Sequence, residues 1–172
     1  MGLSFVLFSE EYNNTYPIGG GHTTQRARGP EAIWIGGDFF GIGRFYKEDY
    51  MDARASYHCP SADLLTQNGR YGWPNYDRRS RWVSSSYVYR SSYEGGRTLS
   101  PSDESGLSIV TDWFMYKQEN KGVNHIESQG MSVLYNDGSA SFVDDDFFNL
   151  INHPNTHLDW DGNEYVWNEL SY

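Results

Sequence analysis

Two apolar runs closed by an Asn-Asp-Gly turn constrain this chain more than any other feature. Met131, Val133 and Tyr135 alternate with Ser132 and Leu134, Asn136-Asp137-Gly138-Ser139 follows, and Ala140 to Val143 return. Alternation marks a half-buried strand, because successive side chains point to opposite faces. Asn, Asp and Gly tolerate the positive φ that a tight hairpin demands. The segment therefore predicts an antiparallel hairpin with Asp137 and Gly138 in its turn.

The elements around it are short. Gly2 to Asn14 predicts a helix in which Leu3, Val6 and Leu7 share one face and Asn13, Asn14 and Pro17 end it. Ala32 to Met51 predicts one or two short helical turns, loosened by Gly36, Gly37, Gly41 and Gly43. Tyr57-His58-Cys59-Pro60 reads as extended. Trp82 to Arg90 and Leu107 to Tyr116 read as strands, rich in β-branched and aromatic residues. Asp144-Asp145-Asp146 opens a short segment that suits a helix N-terminus, where carboxylates meet the positive end of the backbone dipole. Local strands without long intervening helices favour antiparallel pairing and an α+β class. The expected fold is one domain over residues 1–172. A short N-terminal helix packs on an antiparallel sheet of about four strands joined by long loops.

Composition narrows the function. With 14 Tyr, 9 Phe and 6 Trp among 172 residues, the core is built from large rings. The net charge of −10 and a pI near 4.8 exclude nucleic acid as a partner, since phosphate binding needs a basic surface. They permit cation binding. The single cysteine, Cys59, allows no internal disulfide and reads as a small buried hydrophobe. Leu3 to Phe8 is too short for a membrane span or a secretory signal, so the chain by itself carries no targeting signal.

Three ordered stretches resemble one family. GLSFVLFSEEYNNTYP resembles the end of the long N-terminal helix of pilins and its Tyr-Pro exit. GIGRFYKEDYMDARASYHCPSAD is similar to the segment that leads into a (Phe/Tyr)-x-Cys-Pro-Ser strand in the H-X9-DG group of bacterial pilin-like proteins. NHIESQGMSVLYNDGSASFV is similar to the signature that gives the group its name, with His125 leading and Asp137-Gly138 closing. Eleven residues separate His125 from Asp137 here, an insertion in the loop before the strand. The group is related to type IV pilins and type II secretion pseudopilins. The resemblance implies an extracytoplasmic structural subunit and not an enzyme. It also implies a head domain lacking the membrane-spanning half of its helix, other pilin-like subunits as partners in a filament, and membrane contact only through the missing half-helix. The full-length protein is then expected at the cell envelope or outside the cell. His125, Asp137 and Gly138 become structural residues of the hairpin, and Cys59 and Pro60 those of a core strand.

The chemistry-bearing residues fit this reading. His125, Asp112, Ser132 and Ser139 could be assembled into a hydrolase triad on paper, but no serine sits in a nucleophile-elbow pattern. His125 is expected to bond the loop or the turn instead. Asp159, Asp161 and Asn163 alternate as oxygen ligands do in calcium loops, yet the twelfth position is Leu170 and not Glu, so an EF-hand is excluded. The resemblance implies calcium in an irregular C-terminal loop, with Asp144, Asp145, Asp159, Asp161 and Asn163 as its ligands. Zinc is disfavoured, because Pro154 between His153 and His157 breaks the helix that would align them. The alternative function is a soluble extracellular carbohydrate-binding module using Trp73, Trp82, Trp113, Trp160 and Trp167 as stacking surfaces.

Overall fold

The computed structural model describes residues 1–18, 32–60, 72–73, 76, 82–90, 92–93, 97–112, 130–144, 167–168 and 170–171. It is an α+β protein. Helix α1 (Gly2–Glu11) is followed by strands β1 (Ala32–Ile35) and β2 (Asp38–Phe39), a 3-10 turn at Gly41–Gly43, and the single-turn helix α2 (Arg44–Lys47). After a second 3-10 turn at Arg54–Tyr57 come β3 (Trp82–Ser84), β4 (Tyr87–Tyr89), β5 (Ser92–Tyr93), β6 (Arg97–Thr98), β7 (Ser108–Asp112), β8 (Met131–Tyr135) and β9 (Ala140–Val143). A four-stranded sheet has the order β4-β7-β8-β9, a three-stranded sheet the order β2-β1-β3, and β5-β6 form a ribbon. The described pairings are all antiparallel.

Helix α1 ends as its sequence predicts. Asn13 and Asn14 take left-handed φ of 55° and 58°, and the Asn14 N–H donates back to the Ser9 carbonyl at 2.9 Å. Asparagine tolerates that conformation, and the long backward bond closes the last turn. The helix has no side-chain N-cap bond, and Glu10 and Glu11 crowd its negative end. Ten residues with these ends are marginal in isolation, so packing holds the helix.

The packed face is aromatic. Ser4, Phe5, Phe8 and Ser9 are buried, whereas Leu3, Val6 and Leu7 share the opposite, exposed face. The Phe5 ring meets Phe45 edge-on at 4.7 Å and Tyr16 edge-on at 5.0 Å, and lies tilted against Tyr89 at 5.5 Å. Phe8 stacks on Tyr12 at 4.2 Å, and the Arg44 guanidinium covers both rings while bonding Glu48 at 2.9 Å. Edge-on pairs suit the ring quadrupole and add to the area they bury.

Two sequence readings need correction. The expected helical turns form at Gly41–Gly43 and Arg44–Lys47, but Ala32 to Phe39 before them is a hairpin. Gly36 and Gly37, with φ of 59° and 119°, form its two-residue turn between Ile35 and Asp38. A Gly-Gly pair between apolar runs supplies the positive φ of such a turn. Trp82 to Arg90 is two strands that belong to different sheets, broken at Ser85-Ser86. Both serines are fully buried. Ser85 Oγ donates to the Tyr57 carbonyl and accepts the Tyr87 N–H, each at 2.8 Å, and the Ser86 N–H also donates to Tyr57 O at 3.1 Å. The hydroxyls thus satisfy backbone groups that the interrupted ladder leaves over.

Phe5→Ala is expected to destabilise the protein by about 3–5 kcal/mol, through lost transfer energy and a cavity. Leu3→Ala on the exposed face should stay within about 0.5 kcal/mol of the parent. Urea denaturation of both variants checks the difference.

Candidate functional site

The hairpin forms where it is expected, with Met131 opposite Val143 and Leu134 opposite Ala140. Its turn is more economical in positive φ than the Asn-Asp-Gly sequence suggests. Only Gly138 is left-handed, at +82°, after a β-turn closed by Gly138 N–H to Tyr135 O at 2.9 Å. This is a three-residue loop in which a right-handed turn is followed by one left-handed residue. Asp137 Oδ1 accepts from the Ser139 N–H at 2.8 Å and the Ser139 hydroxyl at 2.6 Å, so both residues are used in the turn. Ser132 is exposed, and its N–H donates to the buried Asp112 carboxylate at 2.7 Å.

Asn136 does what the sequence reading missed. Its N–H donates to Leu107 O at 2.9 Å and its Nδ2 to Asp103 O at 2.9 Å, while its Oδ1 accepts the Tyr16 hydroxyl at 2.8 Å. One turn residue therefore ties the hairpin to the segment after α1 and to the loop before β7. The Asp137 N–H adds a bond to Ser105 O at 3.1 Å. At the same end Gly2 lies against Leu134 and Gly138, so the start of α1 sits over the turn.

Cys59 is buried, as expected for the chain's single cysteine, and its N–H donates to the Ser86 hydroxyl. The segment is not a core strand, however. Cys59 and Pro60 follow a 3-10 turn and pair in no ladder, and Pro60 is exposed. The reason is local: Tyr57 O is occupied by Ser85 and Ser86 where the chain passes between sheets. Asp144 is exposed just beyond β9. His125, Asp145, Asp159, Asp161 and Asn163 lie outside the described residues. Among the described residues, no three His, Cys, Asp or Glu side chains are placed to hold a metal.

No family model, curated protein or solved structure matches this chain.

The geometry offers two surfaces. One is the uncovered side of α1, where Leu3 is 70%, Val6 46% and Leu7 40% exposed. The other is a ring cluster around Arg54, in which Tyr46, Trp73 and Tyr76 face one guanidinium. Trp73 itself is buried beneath this cluster, and Trp167 is buried beside Arg90. Trp113 and Trp160 lie outside the described residues.

Three core-facing tyrosines have phenols raised above the ordinary value. Burial, with a smaller effect from Asp103, pushes the Tyr16 phenol up to about 12. Burial, then Cys59 and Asp112, pushes Tyr87 up to about 12. Burial also drives Tyr89 well above 10.0.

The turn and its tyrosine partner can be probed directly. Asn136→Ala, which strands the Tyr16 hydroxyl and Asp103 carbonyl, is expected to cost about 1–3 kcal/mol. Gly138→Ala should cost about 1 kcal/mol through left-handed strain alone. Thermal unfolding of the two variants ranks them. The raised phenols set an alkaline limit. Their contribution is fully present below the unfolded value of 10.0 and is lost as pH rises towards about 12, because the unfolded chain releases those protons first. Urea midpoints should therefore fall across that window in step with tyrosinate absorbance, and flat midpoints would contradict the assignment.

Proposed function

We propose that this chain is the globular head of a pilin- or pseudopilin-like subunit, working as a structural component of an assembly outside the cytoplasm. The observation that carries the reading is the apolar outer face of the first two turns of α1. A helix on the surface of a finished globular protein shows polar residues opposite its buried stripe. Here the buried stripe is Phe5 and Phe8, and the opposite face carries Leu3, Val6 and Leu7 over the first two turns before Glu10. A helix apolar on both sides is suited to pack inward on its own head and outward on neighbouring subunits. The Asn136 bonds support this use, because they fix the sheet to the segment just after α1 and make helix and head one unit. In this reading the partners are further subunits of the same kind, and the protein works at the cell envelope or beyond it, without catalysis. A calcium ion in the C-terminal segment belongs to the same proposal, with Asp144 and the acidic residues that follow it as ligands.

The paired substitution Val6→Glu with Leu7→Glu tests it. The fold should survive with a melting temperature within a few degrees of the parent, since both side chains are exposed. Assembly into sedimenting filaments in the native host should be lost. Filaments that form normally in the variant would sink the proposal. Intact mass and N-terminal sequencing of the protein from its own cells provide a second arm. An apolar helical segment preceding Gly2 is expected, and a native start at Met1 would remove assembly by the pilin route.

A further inference from the structure

The ring cluster around Arg54 points to a different activity. Arg54 is exposed, yet its side chain is held unlike that of most surface arginines. Its guanidinium carbon stands 5.0 Å from the Trp73 ring centre and 5.6 Å from those of Tyr46 and Tyr76. Nε and Nη2 both donate to the Tyr46 hydroxyl, at 3.2 and 3.1 Å. The backbone is fixed as well, because the Arg54 carbonyl accepts the Trp73 indole N–H at 3.2 Å and the 3-10 turn begins there. The rings brace one another: Tyr46 lies 4.7 Å from Trp73, and Phe39 lies 5.8 Å from both Tyr46 and Tyr76.

This arrangement selects a ligand. A guanidinium carries five N–H donors in a planar fork. Tyr46 takes the side formed by Nε and one N–H of Nη2. The end-on pair, Nη1 and the second N–H of Nη2, has no partner among the described residues, and no carboxylate there pairs with Arg54. A pre-oriented end-on fork matches the two oxygens of one carboxylate. Beside it, Phe39, Tyr46 and Tyr76 are half-buried and offer ring surface of the kind on which the C–H face of a pyranose packs. The net charge of −10 repels polyanions and favours a ligand with a single negative group on a neutral body. We infer that Arg54, Tyr46, Phe39 and Tyr76 form a binding site for an acidic sugar, a uronic acid within an otherwise neutral glycan. The site uses half-exposed tyrosines and one arginine, with Trp73 as its buried floor. It stands independently of any role in assembly.

Calorimetric titration of the full chain with an aldobiouronic acid (one glucuronate joined to one neutral hexose) tests the site. Saturable binding is expected, with the Tyr46 and Tyr76 ring resonances shifting. Arg54→Lys, which keeps the charge and loses the fork, should weaken it about tenfold or more. Tyr46→Phe, which keeps the ring and frees the guanidinium to turn, should weaken it several-fold. Equal binding of the corresponding neutral disaccharide would overturn the proposal, as would unchanged affinity in whichever of the two variants remains folded by near-ultraviolet circular dichroism. Absence of saturable binding to the parent overturns it too. Binding of N-acetylglutamate amide in the place of the uronide would overturn the sugar assignment and make the fork a contact for protein carboxylates.

Discussion

Three separate parts of the fold converge on the Phe5 ring. It touches α2 through Phe45, the exit of α1 through Tyr16 and the four-stranded sheet through Tyr89. These contacts join separate parts of the chain, so one side chain sets where α1 can lie. The hydrogen bonds around it depend on that placement. Tyr89 donates to the Pro17 carbonyl at 2.8 Å and Tyr16 reaches Asn136 only because both phenols are already wedged against Phe5. Rings serve better here than aliphatic side chains would. Each buries much surface with few rotatable bonds and presents a distinct edge and face. The polar tips of the tyrosines then find partners at the rim, which removes the cost of burying them.

The arrangement explains how elements this short stay ordered. Among the described residues the strands are two to five residues long, and α1 has ten. None of these elements is stable alone. Order comes instead from long-range side-chain contacts between loops, and the bond from Tyr16 to Asn136 spans most of the chain. The same logic leaves surface apolar groups on the outer side of α1, because the aromatic side supplies its packing against the core.

Legibility followed the range of the forces involved. The hairpin of β8 and β9 could be read to the residue, since alternation and turn chemistry are both local. So could the end of α1 at Asn13-Asn14. The buried side of α1 could not be read. Leu3, Val6 and Leu7 look as apolar as Phe5 and Phe8, and only the shape of the rings across the core decides between them. Gly36-Gly37 was legible in principle as a hairpin turn, but the aromatic spacing that rightly marks the turns at Gly41–Gly43 and Arg44–Lys47 was carried back over it. Ser85-Ser86 carried no visible signal, because serine in a strand is unremarkable until a carbonyl from another segment, that of Tyr57, needs two donors. The shared fork of Arg54 was likewise hidden, being assembled from residues 46, 54, 73 and 76 across three segments. The candidate site residues divided in the same way: Asp137 and Gly138 act locally and stand where their chemistry predicts, whereas Pro60 owed its expected place to a strand that tertiary bonds replaced.

The break at Ser85-Ser86 has a mechanical meaning. The strands on either side of it, β3 and β4, are each the outer strand of their own sheet. Both sheets therefore hang on one short length of chain, and that length is clamped to Tyr57 and Cys59 by side-chain hydroxyls inside the core. Tension applied to one sheet passes into the other through a joint with no slack, loaded in shear across several hydrogen bonds at once. The protein should resist pulling as a single body and yield in one step, with no partially extended form in which one sheet has opened while the other persists.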